Sequence, residues 1–417
     1  MGKHARSPSD IKGGVHTRRW VEQRWLIDNV IRSVGVDWDQ PRTVSYNAPC
    51  GPKANADFAA IRSRVQKFAD ITPAFEAVAK RREARAREAE AAGETVTARQ
   101  NYFMAAVHYA ASQWTFDENS AKNLSLNARK RECYGCYARL ADHRVEAAWV
   151  PLGGKKLPGW FHLPPGYAGG RIPAIVSIPG MDGFKEGNIS MYGDRWLQRG
   201  IAVLVVEGPG QSEAAVLGIP VTMENWIAAG RAMMDWMVGR PEVDAGKIGI
   251  IGSSFGSFFG TIACASEPRF AACAVSASCL EPGHHTIFQE ASPTFKQRFM
   301  WMSGYADETE FDEFRKTLTW EGHAEKIRVP YLCVAGEADE LSPTEHTERL
   351  FSTLTCPRQL VLYQDSRHSV GNVPSANLGP HPQGLVADWM KARLEGNPCA
   401  SEKWYVEAGG SVVKTPL

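Results

Sequence analysis

No run in this 417-residue chain approaches the ~20 consecutive apolar residues that a membrane-spanning helix needs. An excess of either charge is also missing: 47 Lys and Arg stand against 46 Asp and Glu, a formal net charge of +1. Such a balance leaves no electrostatic footprint for nucleic acid or an anionic membrane surface. The nine cysteines are odd in number, and Cys264, Cys273 and Cys333 fall in apolar segments that read as core. That pattern predicts reduced thiols in a cytosol rather than a disulfide framework. Cys133-Tyr-Gly-Cys136 has C-x-x-C spacing but no second pair, which argues against a zinc or redox site. Met1 to Arg6 carry charge without an apolar h-region, so no secretory signal is expected, and Arg6 breaks the myristoylation pattern. No internal repeat is visible, and neither a cofactor nor a metal is expected.

What the chain does have is a change of period. Its first ~140 residues are helical rather than alternating. Trp20, Trp25, Leu26, Val30, Ile31 and Val34 form an apolar stripe ended by Gly35, and Lys80 to Glu90 is a mixed-charge helix whose acids offset its bases. Ala98 to Phe116 is a helix with a broad aromatic face, including Tyr102, Phe103 and Tyr109. From His143 the pattern turns to strands, and Arg144 to Val150 with Leu157 to Leu163 predict an antiparallel pair. The predicted organisation is a helical N-terminal cap over residues 1–142, an α/β catalytic domain over 143–395 with a lid at about 280–326, and a C-terminal extension, 396–417, expected to act as an inter-subunit arm.

The most informative segment is Ile248-Gly-Ile-Ile-Gly-Ser-Ser-Phe-Gly256. An apolar β-branched run, Gly252-Ser253-Ser254-Phe255-Gly256, and then a small apolar helical segment make a G-x-S-x-G nucleophile elbow in its strand–turn–helix setting. Such a turn lifts the Ser254 hydroxyl clear of the sheet and puts it at a helix N-terminus, where backbone N–H groups face a developing oxyanion. In the hydrolases built on this elbow, the order along the chain is nucleophile, acid, base. Here Arg328 to Ala335 reads as a buried strand leading to Asp339, and Gln359 to Tyr363 as a strand leading to His368. Each residue follows its own strand, so the three tips converge on one sheet edge. Glu337 and Glu340 bracket Asp339 and read as solvated loop charges, with Glu337 as the substitute acid. Asp365 reads as a turn former, His346 as a surface histidine, and His284 and His285 as pocket or surface residues lacking a third metal ligand.

A second oxyanion donor comes from the loop after the third strand. Ile172 to Ile178 reads as that strand, and Pro179-Gly-Met-Asp-Gly-Phe-Lys-Glu186 follows, which nominates the Met181 N–H beside that of Phe255. This loop and Gly208-Pro-Gly-Gln211 have neither the Walker ending nor the G-x-G-x-x-G spacing, which argues against nucleotide phosphates. Asp182, Glu186, Tyr102 and, just past a predicted sixth strand at Phe270 to Ser276, Glu281 are the candidate substrate contacts. The lid contributes Phe288, Phe295, Phe299, Met300, Trp301, Phe311 and Phe314, most of which read as packing residues and the rest as an apolar pocket wall.

With these loops, the elbow and the long helical N-terminal segment, the chain resembles one α/β-hydrolase branch. That branch contains 2,6-dihydroxypseudooxynicotine hydrolase, polyketide-shortening hydrolases and fermentation-respiration switch esterase-like proteins. The resemblance covers residues 95 to 395 and is strongest over 172 to 260. It implies an α/β-hydrolase fold, a mostly parallel central sheet flanked by helices, with the helical N-terminal part packed over the active site. It also implies cleavage of a carbon–carbon bond next to a ketone in several members and ester hydrolysis in others. The first function expected is therefore a C–C bond hydrolase of a small, aromatic ketonic molecule, cytoplasmic and homodimeric. A carboxylesterase and a non-catalytic binding protein of the same fold are the alternatives.

Overall fold

A computed structural model describes residues 7–417, so the reading of Met1 to Arg6 lies outside the described residues. The chain opens on helices α1 (Arg18–Val34), α2 (Arg42–Cys50), α3 (Asn55–Arg64), α4 (Ile71–Ala91), α5 (Thr95–Ala111) and α6 (Ala121–Leu140). Side-chain caps set two of their starts: Thr17 accepts the Trp20 N–H and Ser120 accepts the Asn123 N–H. Helix α5 packs between α4 and α6 and is buried from Gln100 to Ala111, a stretch in which apolar and small residues occur on every face beside the polar Gln100, Asn101 and His108. The α1 stripe is corrected in register. Trp20, Ile27 and Ile31 are buried, whereas Trp25, Leu26 and Val34 are exposed, because the buried face follows the helical step rather than the raw list of apolar residues.

Ten strands form one sheet: β1 (Val145–Leu152), β2 (Lys155–His162), β3 (Ile172–Ile178), β4 (Ala202–Val206), β5 (Val243–Ser254), β6 (Ala272–Ser278), β7 (Tyr331–Gly336), β8 (Arg358–Tyr363), β9 (Glu402–Val406) and β10 (Val412–Pro416). Their spatial order is β1-β2-β4-β3-β5-β6-β7-β8-β9-β10. The strands from β4 across to β9 run parallel, while β1, β2 and β10 are antiparallel to their neighbours. Between strands lie α7 (Ser212–Val216), α8 (Met223–Val238), α9 (Phe255–Ser266), α10 (Pro293–Ser303), α11 (Glu308–Arg315), α12 (Thr344–Thr353), α13 (Pro374–Leu378) and α14 (Pro382–Leu394). In β4, Ala202, Leu204 and Val206 point into the core under α8 and α9, and Val203 and Val205 into the core under α14. Burial on both faces explains the continuous apolar runs of the parallel strands.

A third core belongs to the N-terminal helices, but it also takes in Trp160 of β2 and Phe184 of the loop after β3. The helices are thus packed directly onto the sheet's loops. The lid residues Phe288, Phe299, Met300, Trp301 and Phe311 are buried in the core that includes α9. The C-terminal extension is not shown as an arm: β9 pairs with β8 and β10 with β9, so the segment lengthens the sheet of its own chain. Among the described residues, no helix is long and apolar enough to cross a membrane, and the nine cysteines are free.

A charge cluster is sealed where the loop after β3 meets α7. The Lys185 ammonium lies 2.6 Å from Glu213, 2.9 Å from Glu186 and 3.2 Å from Glu207, all buried, and Lys130 and Ser212 complete the surround. Glu207 also accepts the backbone N–H groups of Lys185 and Glu213, which pins the β3 and β4 loops together. Lys185→Met would leave buried carboxylates without their central cation. It is expected to cost about 3–5 kcal/mol of stability, read as a lower urea midpoint at unchanged slope.

Candidate active site

Strand β5 ends at Ser254, whose backbone sits at φ 55° and ψ −128°, a conformation L-residues rarely adopt. Its neighbours leave no alternative. A Cβ on Gly256 would lie 2.4 Å from the Ile178 carbonyl oxygen, and one on Gly252 1.9 Å from that of Gly256, so both close approaches require glycine. Helix α9 begins at Phe255, whose N–H belongs to the first turn and lacks an intrahelical acceptor. The loop after β3 passes on the other side: a Cβ on Gly180 would sit 3.0 Å from the Ser254 Cβ and 3.6 Å from its Oγ. Met181 follows, buried and lining the same cavity.

Asp339 follows β7 and His368 follows β8. The His368 ring is buried, with Nδ1 at 2.9 and 3.0 Å from the two Asp339 carboxylate oxygens and Nε2 at 2.9 Å from the Ser254 Oγ. An ionised carboxylate only accepts, so Nδ1 carries the proton toward Asp339 and Nε2 is left to accept from the serine hydroxyl. Asp339 is itself held by the N–H groups of Leu341 and Ser342, at 2.9 and 3.0 Å. Burial alone would lower the His368 pKa, but the Asp339 charge and hydrogen bond, with Glu340 behind them, raise it above the ordinary histidine value.

A cavity of about 550 Å³ opens over Ser254 and His368. Met181 and Asp182 come to it from the β3 loop, Phe295 from the lid, and Gln40, Arg42 and Tyr46 from the N-terminal helices. The Arg42 guanidinium is buried. It donates to Asp182 from Nε at 3.2 Å and Nη2 at 2.6 Å, pairs with Asp39, and lies 4.2 Å from the Trp114 ring centroid. Tyr46 donates to the Asp182 carbonyl at 3.3 Å. Among the described residues, no group of three or more His, Cys, Asp and Glu side chains is placed to hold a metal ion.

The structure brings Ser254, His368, Asp339, Phe255, Met181 and Asp182 to this site and keeps the other candidates away. Glu186 is buried in the charge cluster and accepts the Trp160 indole N–H. Tyr102 donates to Glu90 at 2.8 Å inside the helical region. Glu281 is buried, accepts the Thr286 N–H at 2.8 Å and lies 3.9 Å from His346, so it closes a turn of the lid instead of facing the cavity. His346 is correspondingly half-buried beside Glu281 rather than a plain surface residue. His284 is neither pocket nor surface. It packs 4.7 Å from the Phe255 ring and 4.9 Å from that of Phe258, and burial pushes its pKa down to about 3. His285 is exposed. Glu337 is exposed and accepts from Tyr405, whereas Glu340, expected to be solvated, accepts the His368 backbone N–H at 2.9 Å. Gln40, Arg42 and Tyr46 are the site residues that sequence reasoning misses. Trp38-Asp-Gln-Pro-Arg42 breaks the helical period, but a break alone says nothing of what it faces.

The family model described as X-Pro dipeptidyl-peptidase (S15 family) matches residues 95–303, half of the chain, and that of the prolyl oligopeptidase family matches residues 224–396. The chain is 29% identical over 252 residues to the alpha/beta hydrolase xenA of Xenoacremonium sinensis, covering 58% of each chain. It is 30% identical over 246 residues to the alpha/beta hydrolase gkaG of Penicillium citrinum, covering 56% of each. The chain thus spans little more than half the length of these curated relatives. With the 20-hydroxy-prefusarin hydrolase FUS2 of Gibberella moniliformis it shares 26% identity over 332 residues, 74% of this chain and 76% of that one. The crystal structure of 2,6-dihydroxy-pseudo-oxynicotine hydrolase superposes with a TM-score of 0.72 at 22% identity, covering 85% of this chain and 97% of that one, and shares its fold.

The raised His368 pKa yields a direct test. In a histidine NMR titration, the resonance assigned through its loss in His368→Ala should have a midpoint above about 6.5. In Asp339→Asn that midpoint should move down, because the charge that favours the imidazolium is gone.

Proposed function

We propose, from the premise that the chain belongs to the α/β-hydrolase superfamily and is a hydrolase, that it works through a serine nucleophile on the carbonyl carbon of a small ketonic molecule. The observation that carries this reading is the unbroken relay Asp339–His368–Ser254 at the floor of the cavity. In it His368 takes the Ser254 proton, Asp339 holds the imidazole in the tautomer that accepts, and Ser254 adds to the carbonyl. The N–H groups of Phe255 and Met181 serve the oxyanion, one from each side of the serine. Collapse of the tetrahedral adduct breaks the bond to the leaving group, His368 returns the proton to it, and water releases the acid from Ser254.

For the bond broken, the reading is a carbon–carbon bond beside a ketone, as in a β-diketone or acyl-arene. The leaving carbanion is then stabilised by its own carbonyl or ring and is protonated by His368. The resemblance to a branch with such members supports this choice of bond, and the likeness to a protein called 20-hydroxy-prefusarin hydrolase supports hydrolysis of a small molecule. Cavity size supports a small substrate, since about 300–1,000 Å³ is the usual span of small-molecule sites. Gln40, Arg42 and Tyr46 of the N-terminal region and Phe295 of the lid wall the cavity, and such cover favours a small molecule over the peptide of the peptidase reading. Asp182 is the one candidate substrate contact that lines the cavity, and its pairing with Arg42 makes it a shaper of the wall rather than a free charge.

The carboxylesterase reading uses the same relay, and substrates separate the two. Incubation with an aryl β-diketone and with p-nitrophenyl butyrate should show cleavage of the diketone to a ketone and an acid. Ester turnover without diketone cleavage would assign an esterase instead. Ser254→Ala and His368→Ala should each lower kcat by roughly 10³-fold or more with folding intact. Activity should rise with pH through the His368 pKa, because only the neutral imidazole accepts a proton. Near-native turnover by Ser254→Ala would remove the nucleophile assignment, and failure of a fluorophosphonate to label Ser254 would favour a non-catalytic binding protein.

A further inference from the structure

The loop between α1 and α2 reaches across the cavity into the loops that carry Asp339 and His368. It is built to hold one shape: Asp37 accepts the Thr43 N–H at 2.7 Å and also its hydroxyl, and Asp39 pairs with Arg42. At its apex Gln40 makes two bonds with opposite ends of one amide. Its Nε2 donates to Glu340 Oε1 at 2.9 Å, and its Oε1 accepts from the Ser369 hydroxyl at 2.9 Å. Glu340 then uses its second oxygen, Oε2, to accept the backbone N–H of His368 at 2.9 Å.

Glu340 is the residue next to Asp339, and Ser369 the residue next to His368. Two adjacent pairs on two loops are therefore cross-linked three times: Asp339 to the His368 ring, Glu340 to the His368 backbone, and Gln40 to Glu340 and Ser369 together. The first bond alone fixes a distance but leaves the imidazole free to tilt about it. The other two fix the backbone from which the ring projects, and with it the aim of Nε2 at Ser254 Oγ. Two residues beyond Gln40, Arg42 grips Asp182, the neighbour of Met181, on the other flank of Ser254. One short segment of the N-terminal helical region thus touches the loops bearing base, acid and oxyanion donor.

We propose that Gln40 and Glu340 are positioning residues: an amide–carboxylate bridge from the N-terminal helical region that sets the orientation of His368 and so makes nucleophile activation depend on docking of those helices. The inference rests on the reading of Ser254, His368 and Asp339 as the reacting groups. It gives the helical region a part in the chemical step, beyond walling the cavity.

The test uses the full chain, a small fluorophosphonate as the probe of Ser254 reactivity, and p-nitrophenyl acetate as the substrate. Gln40→Met keeps the volume of the side chain and removes both hydrogen bonds. It should slow labelling and lower kcat by roughly tenfold, with KM within about twofold, since misplacement of a reacting group costs rate rather than binding. Ser369→Ala removes one of the two bonds from the opposite side and should slow labelling less. The double variant should be no slower than Gln40→Met alone, because both changes cut the same bridge. Glu340→Gln keeps an acceptor for the His368 N–H and should retain more activity than Glu340→Ala. If the parent is labelled and folded Gln40→Met is labelled at the parent's rate, the bridge is overturned while the nucleophile stands. A rise in KM alone would overturn it too, for Gln40 is then a wall residue. If Ser254 in the parent is not labelled at all, the nucleophile reading and the bridge fall together.

Discussion

The left-handed turn at Ser254 is the constraint on which the rest of the site hangs. A serine at φ 55° is uphill for the backbone, and it persists only where its surroundings permit no other path. Here β3 and α9 close on it so tightly that the Ile178 carbonyl stands 2.4 Å from where a Gly256 Cβ would be. The strain is supported by the apolar packing around Phe255, Phe258 and Phe259 on one side and by the parallel β3–β5–β6 ladder on the other. Because the turn is fixed, the position of Oγ is fixed, and the loops after β3, β7 and β8 have one point on which to converge.

Apolar burial and polar anchoring divide the work between them. Burial on both faces of the sheet supplies the main stabilisation. It is non-directional, however, and does not aim an imidazole. That is done by hydrogen bonds to fixed acceptors: Leu341 and Ser342 N–H groups on Asp339, Glu340 on the His368 backbone, and Glu207 on the backbone of the β3 loop. Sealed charges such as Lys185 among three glutamates are costly to bury. They are tolerated because the ammonium reaches all three carboxylates, with the Trp160 indole N–H on Glu186 and two backbone N–H groups on Glu207.

Much of the fold is legible in the sequence, and the reason is periodicity. The antiparallel opening pair and the strands that lead to Asp339 and His368 stand out as local patterns and appear as β1–β2, β7 and β8. Local patterns fail where burial is decided by a distant partner. Trp25 belongs by type to the α1 stripe yet lies outside, while His284, polar by type, is packed between phenylalanine rings. The segment after α14 looks like a tail because nothing near it in sequence announces β8 as its pairing partner. Glu281 follows β6 as the sequence suggests, but the lid folds back and engages it with Thr286.

The sequence by itself determined which residues would meet at the tip of the sheet. Ser254, Asp339 and His368 each sit just past a strand, and strands of one parallel sheet end on one edge. Gly-x-Ser-x-Gly is likewise a local demand of a sharp turn. Only the tertiary structure decided what stands over them. Gln40 lies 300 positions from Glu340 and Arg42 140 positions from Asp182, and each pair meets through a hydrogen bond or ion pair. Such contacts leave no periodic trace in either segment, since a polar side chain in a loop reads the same whether water or a distant carboxylate receives it.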